Sequence, residues 1–284
     1  MATFFGEVLS VYSRAVEECD EDLDENEEDE QIHREIEENR EVHIEWGPEV
    51  TQSLGSGSNT LQCSDLIIAV GQNAAGFLSA CVLNAESWDA VGCASLWNER
   101  SRGSSRQSSA PLPGEPACLF YRHRDNPAVL ICQSTCYIAE DQLFQWTEKV
   151  FGCLQNRGLN VMVLSDSPMA EYKTSEYLYG STIPFIRSLK SSAYKCQAFC
   201  PAVEQPNILT GLPAAVLSHC QVHQIPAVLY QCYSDVISPD SVTMETYKPA
   251  LTSLSKLVKL ESCPSADVLR KFAKISETQS NLYT

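Results

Sequence analysis

Short apolar runs that alternate with helix-like patterns are the feature that most limits how this chain can fold. Residues 65–71, DLIIAVG, form a continuous apolar run of the kind found in strands buried on both faces. Between residues 73 and 84, apolar side chains recur at helical spacing. Further predicted strands cover 118–121, 128–132, 160–164 and 227–233, and further predicted helices cover 140–151, 211–221, 244–258 and 264–275. We therefore expect an α/β fold, a single domain with a central, mostly parallel sheet flanked by helices.

The negative charge of the chain is concentrated in one segment. Residues 17–45 hold 16 acidic residues against Arg34 and Arg40, so this segment carries −14 of the net −17. No basic stripe is present to neutralise phosphates, and the acidic run would repel them. The charge pattern therefore argues against a nucleic-acid partner.

The composition also predicts how the chain is divided. Like charges at high density oppose collapse, so we expect residues 1–60 to be an acidic, largely disordered segment. Residues 61–275 should form the α/β domain, with an exposed loop rich in Ser, Arg, Gly and Pro at about 100–115. Residues 276–284 should form a flexible tail.

Cysteine usage and hydropathy predict a soluble intracellular protein. No run has the basic flank and apolar core of a signal peptide, and none reaches the roughly 18 apolar residues of a membrane span. The 13 cysteines are odd in number and lie mostly in apolar runs, which favours buried thiols. Cys132 and Cys136, like Cys196 and Cys200, are spaced four apart, but no Cys-x-x-Cys knuckle or complementary His pair is present. We expect no metal site.

Gly71 marks the place where an enzyme of this class could bind an anion. It lies between a predicted strand and a predicted helix, whose amino end attracts negative charge. The nucleotide-binding fingerprint is absent, because Gly71 and Gly76 have no glycine between them. A turn-forming role is therefore favoured. An α/β enzyme of phosphorylase-like or hydrolase-like type that uses this turn is kept as the alternative.

Other reactive side chains form no catalytic set. Ser218 and His219 are neighbours on a predicted helix and point apart. His219 and His223 share a helix face but lack the Glu of the zinc-protease pattern. Glu140 and Asp141 suit the first turn of a helix. We expect no catalytic residues and no cofactor.

The tail Leu282, Tyr283 and Thr284 is the strongest candidate for a binding element. It combines an apolar side chain, an aromatic ring with a hydroxyl group and a terminal carboxylate. A groove between two protein subunits could bind all three at once. The polar residues 276–281 would then act as its tether.

Five long stretches resemble the proteasome assembly chaperone 1 family. They are DLIIAVGQNAAGFLSACVLN from 65, VGCASLWNE from 91, CYIAEDQLFQWTEKVFG from 136, EQPNILTGLPAAVLSHCQVHQIPAVLYQCYSD from 204 and QSNLYT from 279. The similarity covers most of residues 63–284. It implies an α/β fold related in shape to nucleoside phosphorylases, without their activity.

The resemblance also implies partners and a mode of action. Members of this family are expected to form a heterodimer with proteasome assembly chaperone 2 and to bind α-type subunits of the 20S proteasome, α5 and α7 among them. The pair promotes assembly of the α ring and prevents aberrant α-ring dimerisation. A cytoplasmic location is implied, with association with the endoplasmic reticulum left open.

The same resemblance assigns roles to the tail. The hydrophobic-Tyr-X motif enters a pocket between adjacent α subunits, which places Leu282 against apolar surface. Tyr283 would pack its ring and hydrogen-bond through its hydroxyl, and the Thr284 carboxylate would pair with a pocket lysine. The resemblance carries no role for the acidic segment.

Overall fold

The computed structural model describes residues 30–32, 34, 37, 40–55, 60–83, 87–96, 117–174, 183–235 and 241–252. The chain divides into two units, Met1–Glu41 and Val42–Thr284. In the first unit, residues 30–32, 34, 37 and 40 are helical, and Arg34 Nη2 lies 3.5 Å from Glu30 Oε2, one helical turn away. The sheet and the helices that cover it belong to the second unit.

A single mixed sheet is the centre of the second unit. Within the described residues it has eight strands: β1 His43–Trp46, β2 Asp65–Val70, β3 Trp88–Ser95, β4 Cys118–His123, β5 Val129–Ser134, β6 Asn160–Pro168, β7 Phe185–Lys190 and β8 Ala227–Ser234. Their order across the sheet is β1-β3-β4-β5-β2-β6-β8-β7. The strand formed by the apolar run at 65–71, β2, is therefore central.

The prediction of a mostly parallel sheet is not confirmed. Only the central pairs β5–β2, β2–β6 and β6–β8 are parallel, whereas β1–β3, β3–β4, β4–β5 and β7–β8 are antiparallel. Residues 124–128 join β4 to β5, and so short a connection makes a hairpin rather than a crossover. Each parallel pair has at least one helix between its two strands along the chain, and so does the antiparallel pair β7–β8.

Helices cover both faces of the sheet. The described helices are α1 Pro48–Gly55, α2 Gln72–Cys81, α3 Leu143–Gly152, α4 Gly211–Val222 and α5 Ser241–Thr252, with 3₁₀ turns at Glu140–Gln142 and Met169–Glu171. Trp146 of α3 and Val216 of α4 belong to the core on one face. Phe77 of α2 and Tyr247 of α5 belong to the core on the other face. The architecture is a three-layer α/β domain.

Strand β2 shows how the sequence pattern produces these layers. Leu66 and Ile68 lie in one core, and Ile67 and Ala69 lie in the other. Successive side chains of a strand point to opposite faces, so a strand with helices on both sides needs a continuous apolar run. This is why the run was visible in the sequence.

The structure also adds elements that the sequence did not predict. Strands β1, β3 and β7 are missing from the predicted set, because they lie toward the sheet edges and carry many half-exposed side chains. Since β1 and α1 lie within residues 1–60, the folded unit begins before the predicted boundary. The predicted loop at 100–115, the helix at 264–275 and the tail at 276–284 lie outside the described residues. In the part of the chain that is described, no helix has the length and apolar character to cross a membrane.

A buried tyrosine, Tyr247, helps to hold helix α5 against the sheet. The hydroxyl of Tyr247 donates a hydrogen bond to the backbone carbonyl of Ser165 on β6 at 2.9 Å. Its ring stacks on Phe77 of α2, with ring centres 5.5 Å apart. Burial raises the pKa of this hydroxyl well above its usual value, so it stays a donor.

Tyr247→Phe should lower the free energy of unfolding by about 1 kcal/mol, because it removes this buried hydrogen bond and keeps the ring. Equilibrium unfolding in urea measures the change. Tyr137→Phe, at a ring that is 46% exposed, is the matched control and should have a smaller effect. An equal loss in both variants would contradict the assigned role of Tyr247.

Candidate functional site

A cavity of about 230 Å³ opens at the carboxyl ends of the parallel strands. The helices that follow the neighbouring strands β2 and β5 pack on opposite faces of the sheet. In α/β proteins, ligands commonly bind in the crevice that opens between two neighbouring strands when the helices that follow them lie on opposite faces of the sheet. The residues that line it combine hydroxyl, amide, carboxyl and apolar side chains, among them Ser134, Asp166, Ser167, Glu171, Ile208 and Gln231.

Asp166 occupies the amino end of α2. Its Oδ1 accepts a hydrogen bond from the backbone N–H of Ala74 at 3.2 Å, and its Oδ2 lies 3.5 Å from the side-chain Nδ2 of Asn73. These donors are the groups with which a helix start would hold a bound anion. In this chain an internal carboxylate takes that position.

Gly71 is required by two features of the turn between β2 and α2. Its φ of 97° lies in the region that L side chains rarely adopt. A Cβ at this position would also collide with the Asp166 carboxylate, with its Cγ only 2.8 Å away. The predicted turn-forming role of Gly71 is confirmed, and the reason is close contact with a side chain of β6.

The electrostatics of Asp166 are set by burial. Desolvation raises its pKa from 3.8 to about 6, although the N–H of Ala74 and the Asn73 amide oppose the rise. Above that pH the carboxylate is charged, and a phosphate placed at the start of α2 would meet a negative group. The Gly71 turn is therefore unsuited to anion binding.

A buried polar network joins β6 to β8 beside the cavity. The hydroxyl of Ser165 donates to Oε1 of Gln231, and Nε2 of Gln231 donates to the Ser167 hydroxyl at 3.0 Å. The Cys136 thiol also lines the cavity, and burial raises its pKa to about 12. At neutral pH it is therefore protonated, and a thiol is a poor nucleophile. The hydrogen bonds hold the side chains of Ser165, Ser167 and Gln231 in position. They do not turn these groups or the Cys136 thiol into a nucleophile.

Comparison with known proteins identifies the family. The whole chain, residues 1–284, matches the family model PAC1, described as Proteasome assembly chaperone 4. It is 60% identical over 286 residues to proteasome assembly chaperone 1 of Danio rerio, with 100% of both chains covered. It is 42% identical over 290 residues to proteasome assembly chaperone 1 of Homo sapiens, with 100% of this chain and 99% of the relative covered. The chain belongs to the proteasome assembly chaperone 1 family.

Solved structures support the fold at much lower identity. A Thermoplasma acidophilum protein of unknown function is 12% identical with a TM-score of 0.54, covering 79% of this chain and 88% of that chain. Pyrococcus furiosus PbaA, an archaeal homolog of proteasome-assembly chaperone, is 11% identical with a TM-score of 0.51, covering 85% and 96%. These likenesses show that the α/β fold is shared.

The reactive residues singled out in the sequence do not converge on the cavity. His219 stacks on Phe151 and lies beside His223, with ring centres 4.6 and 4.2 Å apart. Glu140 and Asp141 form the 3₁₀ turn before α3, as expected for residues that start a helix. Of the residues singled out in the sequence, Gly71 and Cys136 line the cavity. The family-implied binding residues Leu282, Tyr283 and Thr284 lie outside the described residues.

Two of the cysteines that are spaced four apart each lie beside another polar side chain or thiol. Cys132 lies opposite Phe120 and diagonal to Cys118 on the neighbouring strand, and the sulfurs of the two cysteines are 3.6 Å apart. Cys136 lies 3.8 Å from the Ser134 hydroxyl. Among the described residues, no group of three or more His, Cys, Asp or Glu side chains could hold a metal ion.

Asp166, the residue that best explains this site, belongs to no motif that is visible in the sequence. It lies 92 positions from the Ala74 N–H that it binds, so no local motif connects them. The polar residues SDS at the end of the β6 apolar run were the available signal. The predicted strand stopped at residue 164, whereas β6 continues to Pro168 and carries these residues to the cavity.

Gly71→Ala should lower the free energy of unfolding by about 1–3 kcal/mol, because it adds backbone strain and displaces Asp166. Urea unfolding measures the loss. Gly152→Ala is the matched control, because an added Cβ at the end of α3 meets nothing within 4 Å. The control should be unchanged or stabilised by up to about 1 kcal/mol. A stable Gly71→Ala would contradict the close contact with Asp166.

Asp166→Asn should remove one component of the pH dependence of stability. The folded chain keeps a proton on Asp166 up to about pH 6, whereas the unfolded chain releases it near 3.8. The stability that this proton contributes is therefore present below about pH 3.8 and lost as pH rises through about 6. The unfolding free energy of Asp166→Asn relative to wild type should increase over that range. Asp125→Asn removes the same charge from an exposed loop as a control, and parallel curves for wild type and Asp166→Asn would contradict the prediction.

Proposed function

We propose that this chain is a proteasome assembly chaperone that acts by binding, without catalysis. The observation that carries the proposal is its full-length relation, at 60% and 42% identity, to two proteins named proteasome assembly chaperone 1. Both comparisons cover the whole of this chain, so the similarity includes the folded domain as well as the terminal segments.

The proposed partners are a second chaperone and the proteasome itself. The chain pairs with proteasome assembly chaperone 2 and binds α-type subunits of the 20S proteasome, with α5 and α7 as the expected ones. The heterodimer promotes assembly of the α ring and prevents aberrant α-ring dimerisation. It acts in the cytoplasm, and association with the endoplasmic reticulum is a further proposal. The phosphorylase-like shape stays a prediction.

The tail serves as one of two contacts in this proposal. Burying Leu282 contributes about 1.5–3 kcal/mol and Tyr283 a similar amount. A charge-assisted hydrogen bond from the Thr284 carboxylate adds about 1.5–3 kcal/mol. Association and ordering cost about 4–15 kcal/mol, so the tail alone binds on the order of millimolar. A surface of the folded domain must supply the remaining affinity, and the tether raises the tail's effective concentration.

The alternative of an α/β enzyme that uses the Gly71 turn is disfavoured by a specific contact. The Asp166 carboxylate occupies the amino end of α2, where such an enzyme would bind the anionic part of its substrate. The burial that raises the pKa of Asp166 comes from this same packing. In a binding protein, the Gly71 turn needs only to connect β2 to α2.

The tail proposal is tested with two substitutions of one residue. Tyr283→Ala removes the ring and should weaken capture of α subunits about tenfold to a hundredfold, whereas Tyr283→Phe removes only the hydroxyl and should cost less. The full chain, co-expressed with proteasome assembly chaperone 2, is titrated with α subunits in a co-sedimentation assay. Undiminished association of Tyr283→Ala, or of a chain ending at residue 281, would reject the anchoring role.

The partner proposal has its own experiment. Affinity purification of the tagged full chain, followed by mass spectrometry, should recover proteasome assembly chaperone 2 and α subunits together. If the chain that ends at residue 281 still recovers proteasome assembly chaperone 2, residues 1–281 are sufficient for pairing. Absence of both partners from the wild-type sample would overturn the proposed function.

A further inference from the structure

The cavity beside Asp166 combines two carboxyl groups with exposed apolar surface. Asp166 lines it from β6, and the exposed Glu171 lines it from the following 3₁₀ turn. Ile208 is 82% exposed and Tyr137 is 46% exposed, and both also border the cavity. No Lys, Arg or His is found among the described residues that line it. Carboxylate acceptors next to exposed apolar surface suit a cation that is carried on an aliphatic stem, such as a lysine side chain.

We propose that this cavity binds the side chain of a lysine from a protein partner, with the ammonium group toward Asp166 and Glu171 and the stem against Ile208 and Tyr137. The proposed function enters only in the choice of that partner, an α-type proteasome subunit. Binding of lysine to the cavity can be tested without a proteasome subunit.

The size of the cavity favours a single side chain. Its volume of about 230 Å³ is below the roughly 300–1,000 Å³ of sites that enclose small-molecule ligands. A nucleotide or a similar cofactor would not fit, whereas one extended side chain would. The exposed residues at the mouth are available to the rest of a docked partner.

The arrangement of acceptors favours lysine over arginine. Both oxygens of Asp166 already accept or approach donors of α2, at 3.2 and 3.5 Å. A planar guanidinium is best matched by two unoccupied oxygens of one carboxylate, whereas the three donors of an ammonium can reach oxygens on different elements. Ser134 on β5, Ser167 on β6 and Glu171 supply such oxygens.

An anion is the opposite possibility, because α4 also begins at this cavity. Gly211 starts that helix, and the Thr210 side chain makes no capping hydrogen bond. A helix amino end corresponds to about half a positive charge, whereas Asp166 and Glu171 each carry a full negative charge when ionised. The balance of charge in the lining therefore favours a cation over an anion.

The surrounding charges support this assignment. Arg187 lies near the cavity residue Tyr233, but its guanidinium is engaged elsewhere. Its Nε donates to the Tyr172 hydroxyl at 3.1 Å, and its Nη2 lies 3.9 Å from Glu204. The raised pKa of Asp166 indicates that its charge is incompletely compensated by the protein. An ammonium group would supply that compensation.

The test is an NMR titration of the full chain, labelled at Ile, Leu and Val methyl groups. The probes are Nα-acetyl-lysine methylamide and its norleucine, arginine and glutamate counterparts. The lysine probe should shift the methyl signals of Ile138 and Ile208 saturably, with a dissociation constant on the order of millimolar. Norleucine has the same stem without the charge and should bind about tenfold more weakly.

Variants locate the charge that is responsible. Asp166→Asn and the exposed-site variant Glu171→Gln should each weaken the lysine probe, by about tenfold for Asp166→Asn. Asp125→Asn is the matched control, because Asp125 precedes the amino end of β5, whereas the cavity lies at the carboxyl end of that strand. Glu171→Gln keeps the test informative if Asp166→Asn alters folding, which thermal unfolding would reveal.

Each other outcome overturns part of the inference. Equal binding of norleucine would reject the role of charge, tighter arginine binding would reject the choice of lysine, and preferred glutamate binding would assign the cavity to the start of α4. Absence of saturable shifts would reject the site. The same variants are then compared in the co-sedimentation assay, where unchanged capture of α subunits would reject the proposed partner. Failure of wild-type capture would instead count against the proposed function and leave the probe result standing.

Discussion

The contact between the Asp166 carboxylate and the amino end of α2 is the interaction on which the centre of this structure depends. It joins β6 to α2, the helix that follows β2, at the carboxyl ends of these two neighbouring parallel strands. Because the carboxylate lies against the turn, only glycine fits at position 71. One side chain therefore satisfies helix donors and occupies the place that an anion would take in an enzyme.

This internal contact is consistent with a protein that works through its surfaces. The central strands are buried on both faces by helices, and the cavity lies at the carboxyl ends of the parallel strands. The cavity at those ends is small and bordered by exposed apolar side chains. Such a site suits an anchoring side chain better than a substrate that must be enclosed for reaction.

In the proposed binding mode, the tail and the cavity each supply one weak contact to the same partner. A tail of three residues reaches only about millimolar affinity after the cost of association. A lysine held in an acidic cavity is an equally modest contact. When both lie on one chain, the first contact raises the local concentration of the second, and the partner must present both features at the right spacing. We infer that selectivity for an assembling ring would come from this double requirement.

The sequence by itself determined the α/β class, the central strands and the turn at Gly71, because a strand buried on both faces must be apolar throughout and therefore leaves a continuous pattern. It also placed the chain in its family through stretches such as residues 65–84. Only the tertiary structure decided which strands run antiparallel, since short hairpins and edge strands leave weaker patterns. It alone revealed Asp166, because that carboxylate meets its helix across 92 residues and chain folding, rather than local spacing, brings them together.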